Sequence, residues 1–169
     1  LLNANEIGFG YEAKGVQVKP ATGNTLTWKW QANNVHDFMW AADPNYKLIT
    51  RTIPGGPLLK IVYKQVDSLE NRWQKMADTC VLIYPIIAKT FGAYPYKTYT
   101  FVQGGDGGME YPMATLITGE RTLISLVGVS VHELMHSWYQ MVLGSNEALY
   151  HWMDEGFTSF ISDLAMTEV

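Results

Sequence analysis

A single cysteine, Cys80, stands in a chain of 169 residues. That excludes an intrachain disulfide and any metal site built on several thiolates. It leaves the compartment open, with an exported or cell-envelope setting favoured slightly over the cytoplasm. Basic runs are missing as well. With Lys+Arg 12 against Asp+Glu 16 the formal net charge is -4, and no block of lysine or arginine could track a phosphate backbone, so nucleic acid is not an expected partner. The longest aliphatic stretch, "VLIYPIIA" from Val81 to Ala88, is far shorter than a bilayer span and holds Pro85 in its middle, so no membrane helix is expected. The first residues lack an initiator methionine and the charged-then-apolar pattern of a signal peptide. At the other end, Phe157, Phe160, Ile161 and Leu164 recur at helical spacing and the chain stops without a Gly or Pro terminator. A fragment of a longer protein is the expectation.

What is present suits a globular core, since 47% of the residues are hydrophobic. Residues 1 to about 66 read as β and loop. In "TLTWKW", Leu26, Trp28 and Trp30 alternate with Thr27 and Lys29, the period of a strand with one buried face, after a turn at Gly23-Asn24. "PLLKIVYK" is a second strand, following the breaker "PGGP" at Pro54 to Pro57. The period then changes. From Val66 onward Leu69, Trp73, Met76, Cys80, Ile83, Ile87 and Phe91 recur every three or four residues and finish at Gly92, a helix expected to kink or split near Val81 because of Pro85. Next come a strand in "KTYTFVQ", a turn in "GGDGG", a short strand in "YPMATLIT", and two helices, roughly Leu126 to Leu143 and Glu155 onward. Strands followed by helices predict an α+β or mixed organisation.

The chemistry concentrates in "VHELMHSW", Val131 to Trp138. Residues four apart on an α-helix are separated by about 400° of rotation, so His132 and His136 can aim both imidazoles at one ion. Glu133 sits about 100° round from His132, close enough to reach a water on that ion and poorly placed to be a ligand. Two imidazole ligands and a separate carboxylate base are what a metal-assisted hydrolase requires. The bare pattern arises by chance in roughly one of 200 chains of this length, so the setting has to carry weight. Val129, Val131, Leu134, Met135 and Trp138 surround it, and burying these polar groups among them without partners would be costly. A third ligand is needed, and Glu155 lies nineteen residues after His136. That separation allows a helix ending near Gly144, a turn at "GSNE" and a second helix carrying Glu155 in its first turn, and it lowers the chance match to about one in 4000.

With these residues in hand, the sequence resembles the gluzincins, specifically the aminopeptidase N-type zinc aminopeptidases, to which leukotriene-processing hydrolases also belong. The likeness rests on HExxH with a glutamate nineteen residues on, inside "WMDEGFTSF". It rests also on "GGMEYP" at Gly107 to Pro112, similar to the family's Gly-x-Met-Glu-Asn edge strand, and on "NNVHDFMWAADP" at Asn33 to Pro44, similar to the segment closing its N-terminal β domain. The resemblance covers approximately Thr25 to Leu164. It implies one zinc per chain held by His132, His136 and Glu155, with Glu133 as general base. It implies that Glu110 binds the substrate's α-ammonium, while Gly107, Gly108 and Met109 run along the substrate backbone. A charge-assisted bond to an ammonium at a fixed distance from zinc measures one residue's length, so cleavage would follow the first amino acid of peptides with a free N-terminus. The implied fold is the tail of a β-sandwich or saddle domain over residues 1–66, then the front part of a thermolysin-like domain over residues 67–169. Remaining domains of a full-length chain would be partners.

Two positions depart from the family pattern. Tyr111 replaces its usual Asn, and Asp154 replaces the Asn that commonly precedes the third ligand. The tyrosine that the family places well downstream to stabilise the tetrahedral intermediate would lie beyond residue 169. Other residues have plainer readings: His36 and His151 as polar residues at a junction and a loop, Asp106 as a turn stabiliser, and Trp28, Trp30, Trp40, Trp73, Trp138 and Trp152 as core and domain contacts. Glycines 104, 105, 107 and 108 lack the Gly-Lys-Ser/Thr continuation of a phosphate cradle. Alongside the aminopeptidase stand a related endopeptidase or epoxide hydrolase on the same scaffold, and a fragment that keeps zinc without catalysis of its own.

Overall fold

Alternation of apolar and polar residues builds a five-stranded mixed sheet in the computed structural model, which describes residues 16–18, 27–29, 35–64, 70–105 and 107–168. Strand β3 (Tyr46–Thr52) pairs antiparallel with β4 (Leu58–Lys64), from Tyr46 opposite Lys64 to Thr52 opposite Leu58. The turn between them holds Gly55 at φ 73, where a residue without a β-carbon carries no steric penalty. Helix α1 (Glu70–Phe91) crosses back and delivers β5 (Thr98–Gly104) parallel to β4. Strand β7 (Ala114–Thr118) lies parallel to β5, and β6 (Gly108–Tyr111) closes the edge antiparallel to β7. The sheet order is therefore β3-β4-β5-β7-β6, with strands from both sides of residue 66. Two short strands, β1 (Val16–Val18) and β2 (Thr27–Lys29), form a separate antiparallel pair.

Period two along β4 divides its side chains. Leu59, Ile61 and Tyr63 enter the main core with Tyr99 and Phe101 of β5, while Val62 and Val102 join a smaller cluster with Met39 and Ala114 on the opposite face. Onto the main face α1 lays Trp73, Met76, Cys80, Ile83 and Ile87, the stripe its sequence period predicts, and α2 (Leu123–His136) adds Leu126, Val131 and Leu134. Helix α3 (Phe157–Thr167) supplies Ile161 and Ala165. The protein is thus α+β, as expected, and no described helix is long and apolar enough to cross a membrane.

Some expectations are corrected. Helix α1 does not split at Pro85 but runs unbroken through it for 22 residues. Pro85 sits on the exposed side, where the carbonyl four residues back can turn to water, so one lost bond is tolerated. Helix α2 begins at Leu123, a turn earlier than Leu126, because Thr122 caps it by accepting from the Ser125 N–H at 3.3 Å. Part of "GGDGG", expected as a turn, is strand from Gly108. Trp73 and Trp138 are core residues, but Trp40 and Trp152 are exposed. Gly23-Asn24, Leu26, Trp30, Asn33, Val66, Leu69 and Asp106 lie outside the described residues, as does the side chain of Trp28.

Candidate metal centre

Helix α2 buries Leu126, Val127, Val131, Leu134 and Met135, and that stripe turns His132 and His136 toward the end of the sheet where β6 lies. Their Nε2 atoms stand 3.2 Å apart, with the rings nearly perpendicular at 86°. After His136 the helix widens into a π-helical stretch, Ser137–Val142, and ends at Gly144, whose φ is 66. A second π-helical turn, Trp152–Gly156, leads into α3 and carries Glu155. The Glu155 Oε2 atom comes 3.2 Å from His132 Nε2 and 3.8 Å from His136 Nε2. The three predicted ligands therefore converge, with one ligand atom from each lying within 4.8 Å of the others.

The donor set fits zinc. Ligands at 2.0–2.2 Å in a tetrahedron stand about 3.3 Å from one another, close to the separations here. Burial, followed by the neighbouring His132, lowers the pKa of His136 to about 4, which keeps that imidazole neutral and able to donate a lone pair near pH 7. Glu133 is 5% exposed, and its Oε2 is buried with no hydrogen-bond partner among the described residues. Burial first, then the charges of Glu110 and Glu155, push its carboxyl up to about 8. Glu110 on β6 lies 3.9 Å through Oε2 from His136 Nε2, and burial is the main cause of its rise to about 7. Asp154 is raised too, again chiefly by burial. Four carboxyls gathered around two imidazoles, with burial making Glu110, Glu133 and Asp154 costly to ionise, are suited to a divalent cation.

A second grouping, Glu110, His136 and Asp154, also brings ligand atoms within 4.8 Å. Asp154 addresses His136 Nδ1 whereas Glu110 nears Nε2, on opposite edges of one ring, so a single ion cannot use both contacts. The His132, His136 and Glu155 set has no such conflict.

Around the centre, β6 carries Gly107 at its entrance and then Gly108, Met109 and Glu110, on the edge strand that the resemblance implies. A β-carbon at Gly108 would collide with Glu133 Oε1 and crowd Val129, so this glycine lets the strand lie against α2. Arg121 donates to the Gly107 carbonyl at 2.9 Å and to Ser125 Oγ at 3.0 Å, fastening the start of β6 to the cap of α2. His36 and His151 are exposed and belong to neither group.

Of three supporting residues, Thr158 and Tyr99 escaped the sequence reading, whereas Asp154 stood out as a departure able to alter the orientation of a ligand. Asp154 Oδ1 lies 2.7 Å from His136 Nδ1, and Thr158 Oγ1 lies 3.4 Å from the same nitrogen. The Tyr99 hydroxyl, fully buried, donates to the Glu133 backbone carbonyl at 3.1 Å and pairs with Thr115 Oγ1. An aspartate preceding the third ligand was visible as a departure; contacts across eighteen or more residues had no local signal.

No family model matches the chain. Aminopeptidase B of Rattus norvegicus, of Mus musculus and of Homo sapiens is each 35% identical to it over 82 residues. The match takes in 43% of this chain and 12% of each relative, so the chain spans about an eighth of their length. Over that stretch the similarity supports a link between this chain and a peptidase family.

Proposed function

We propose that this chain is the metal-binding part of a zinc aminopeptidase with a thermolysin-like catalytic domain, which removes the first residue from peptides with a free N-terminus. The observation that carries the reading is the convergence of His132, His136 and Glu155 beside a buried carboxylate, Glu133, that has no described hydrogen-bond partner. The similarity to aminopeptidase B supports it independently.

His132, His136 and Glu155 would hold the ion. Zinc in such a site acts as a Lewis acid, polarising a carbonyl and acidifying water. Burial holds the Glu133 carboxyl at about 8 in the metal-free chain, and a cation on the neighbouring ligands would favour its ionised form, which takes a proton from the attacking water and passes it to the leaving amine. Glu110 binds the α-ammonium of the substrate, and that cation stabilises its ionised form. Gly107, Gly108 and Met109 offer a backbone edge along which an extended peptide can lie. The remaining domains of a full-length protein would complete the substrate site, and an exported or cell-envelope setting is compatible with this activity.

Metal analysis of the purified chain and of its Glu133→Ala variant tests the reading, with hydrolysis assayed on the full-length protein. About one zinc in each, and activity lost only in the variant, is the expected result. Comparing an aminoacyl amide with its N-acetylated form tests Glu110: equal turnover would remove its assigned role.

A further inference from the structure

We propose that Asp154 is a positioning residue that holds His136 as the Nδ1–H tautomer, so that its Nε2 lone pair faces the candidate zinc site. The inference rests on the zinc reading above for its consequence, though the tautomer itself is a property of the metal-free chain.

A neutral imidazole carries one proton, and the partner of one nitrogen decides what the other can do. His136 is 1% exposed and Asp154 is 3% exposed, so water does not compete for the bond between them. At 2.7 Å the contact from Nδ1 to Oδ1 is short for an N–H donor, as expected with a carboxylate acceptor. Thr158 Oγ1 at 3.4 Å is too distant to be the main acceptor. On the other edge of the ring, Nε2 faces His132 Nε2 at 3.2 Å and Glu155 Oε2 at 3.8 Å, the atoms of the candidate site. A proton on Nε2 would deny that nitrogen to a metal. The carboxylate does more than orient. Its negative charge makes the imidazole a stronger donor, a contribution that a neutral amide at the same position would not supply.

The geometry has a local cause. Asp154 lies in the π-helical turn Trp152–Gly156, directly before Glu155, and adjacent residues on a helix project about 100° apart. One turn can therefore present Glu155 to Nε2 and Asp154 to Nδ1 of the same ring. The ligand and the group that orients its neighbour come from a single dipeptide, so the two cannot drift apart independently.

The test uses nitrogen-15 NMR of histidine in the metal-free chain near neutral pH, together with zinc affinity from competition with a chromophoric chelator. The unmodified chain is expected to show His136 protonated on Nδ1, and Thr158→Val to leave that unchanged. Asp154→Ala should release the tautomer and weaken zinc binding by about 10- to 100-fold. Asp154→Asn, whose amide oxygen can still accept, should retain the tautomer and weaken zinc less than Asp154→Ala does. A His136 protonated on Nε2 in the unmodified chain overturns the proposal even if no variant folds. So does an Asp154→Ala chain that keeps the Nδ1–H form. If the unmodified chain takes up no zinc while showing the Nδ1–H tautomer, the metal reading fails and the orienting role of Asp154 stands.

Discussion

Glu133 Oε1, on α2, overhangs the α-carbon of Gly108, on β6, so closely that a β-carbon there would collide with it. Gly108→Ala must therefore displace either the carboxylate or the strand, since the added β-carbon would also crowd Val129 one turn away on the same helix. Misplacing a catalytic group by about 1 Å can cost on the order of 100-fold in rate. Full-length protein carrying Gly108→Ala is expected to bind zinc normally and to hydrolyse an aminoacyl amide about 100-fold more slowly. Unchanged turnover would show that Glu133 does not act from this position.

Acidity should stabilise the metal-free chain. The carboxyls of Glu110 and Glu133 rise from 4.5 to about 7 and about 8, so the folded chain holds their protons at pH values where the unfolded chain has lost them. Their contribution to stability is fully present below about 4.5 and is lost as pH rises through about 7 and then about 8. Thermal melts with a chelator present, from pH 5 to 9 on the order of one unit apart, should show the midpoint falling as pH rises from 5 and levelling off above about 8. Glu133→Gln, neutral throughout, should flatten the fall.

Zinc should reverse that trend. A ligand that binds only the folded chain adds about 2.7 kcal/mol when present at about 100 times its dissociation constant. The effect should grow with pH, because the ligand groups must be deprotonated to bind. Zinc titration followed by calorimetry is the measurement, and His132→Ala or Glu155→Ala should each abolish most of the shift.

Tyr99→Phe keeps the ring among Tyr94 and Phe101 and removes only the hydroxyl that meets the Glu133 carbonyl and Thr115. A buried hydrogen-bond partner lost in this way costs about 1–3 kcal/mol. Denaturant unfolding should show a loss in that range with an unchanged slope, and a neutral result would mean that other groups satisfy the Glu133 carbonyl.

Where burial follows a repeating period, the sequence was readable. Trp73, Met76, Cys80, Ile83 and Ile87 mark the inner face of α1, and His132 and His136 share one side of α2, because helical rotation alone fixes both. Strand β3 was not singled out, since at the edge of the sheet it contains no fully buried residue and alternates weakly, although the β-branched Ile49, Thr50 and Thr52 were a usable signal. The β6–β7 hairpin was obscured by Met113, which takes φ 62 where a glycine is the usual choice. Thr122, directly ahead of an apolar run, could have placed the start of α2. Tyr99 could not have been assigned, nor could His136 Nδ1 have been named as the atom that Asp154 meets, because each acts on an atom brought near only by tertiary packing.

The two wide turns that bracket the stretch from His136 to Glu155 make residue count a matter of angular phase. A π-helical turn takes up an extra residue relative to an α-turn, so the direction of Glu155 relative to the buried face of α3 depends on the second bulge persisting. Deleting Gly156 would swing Glu155 by about 100° against the face of α3 that buries Ile161 and Ala165, turning its carboxylate off the imidazoles.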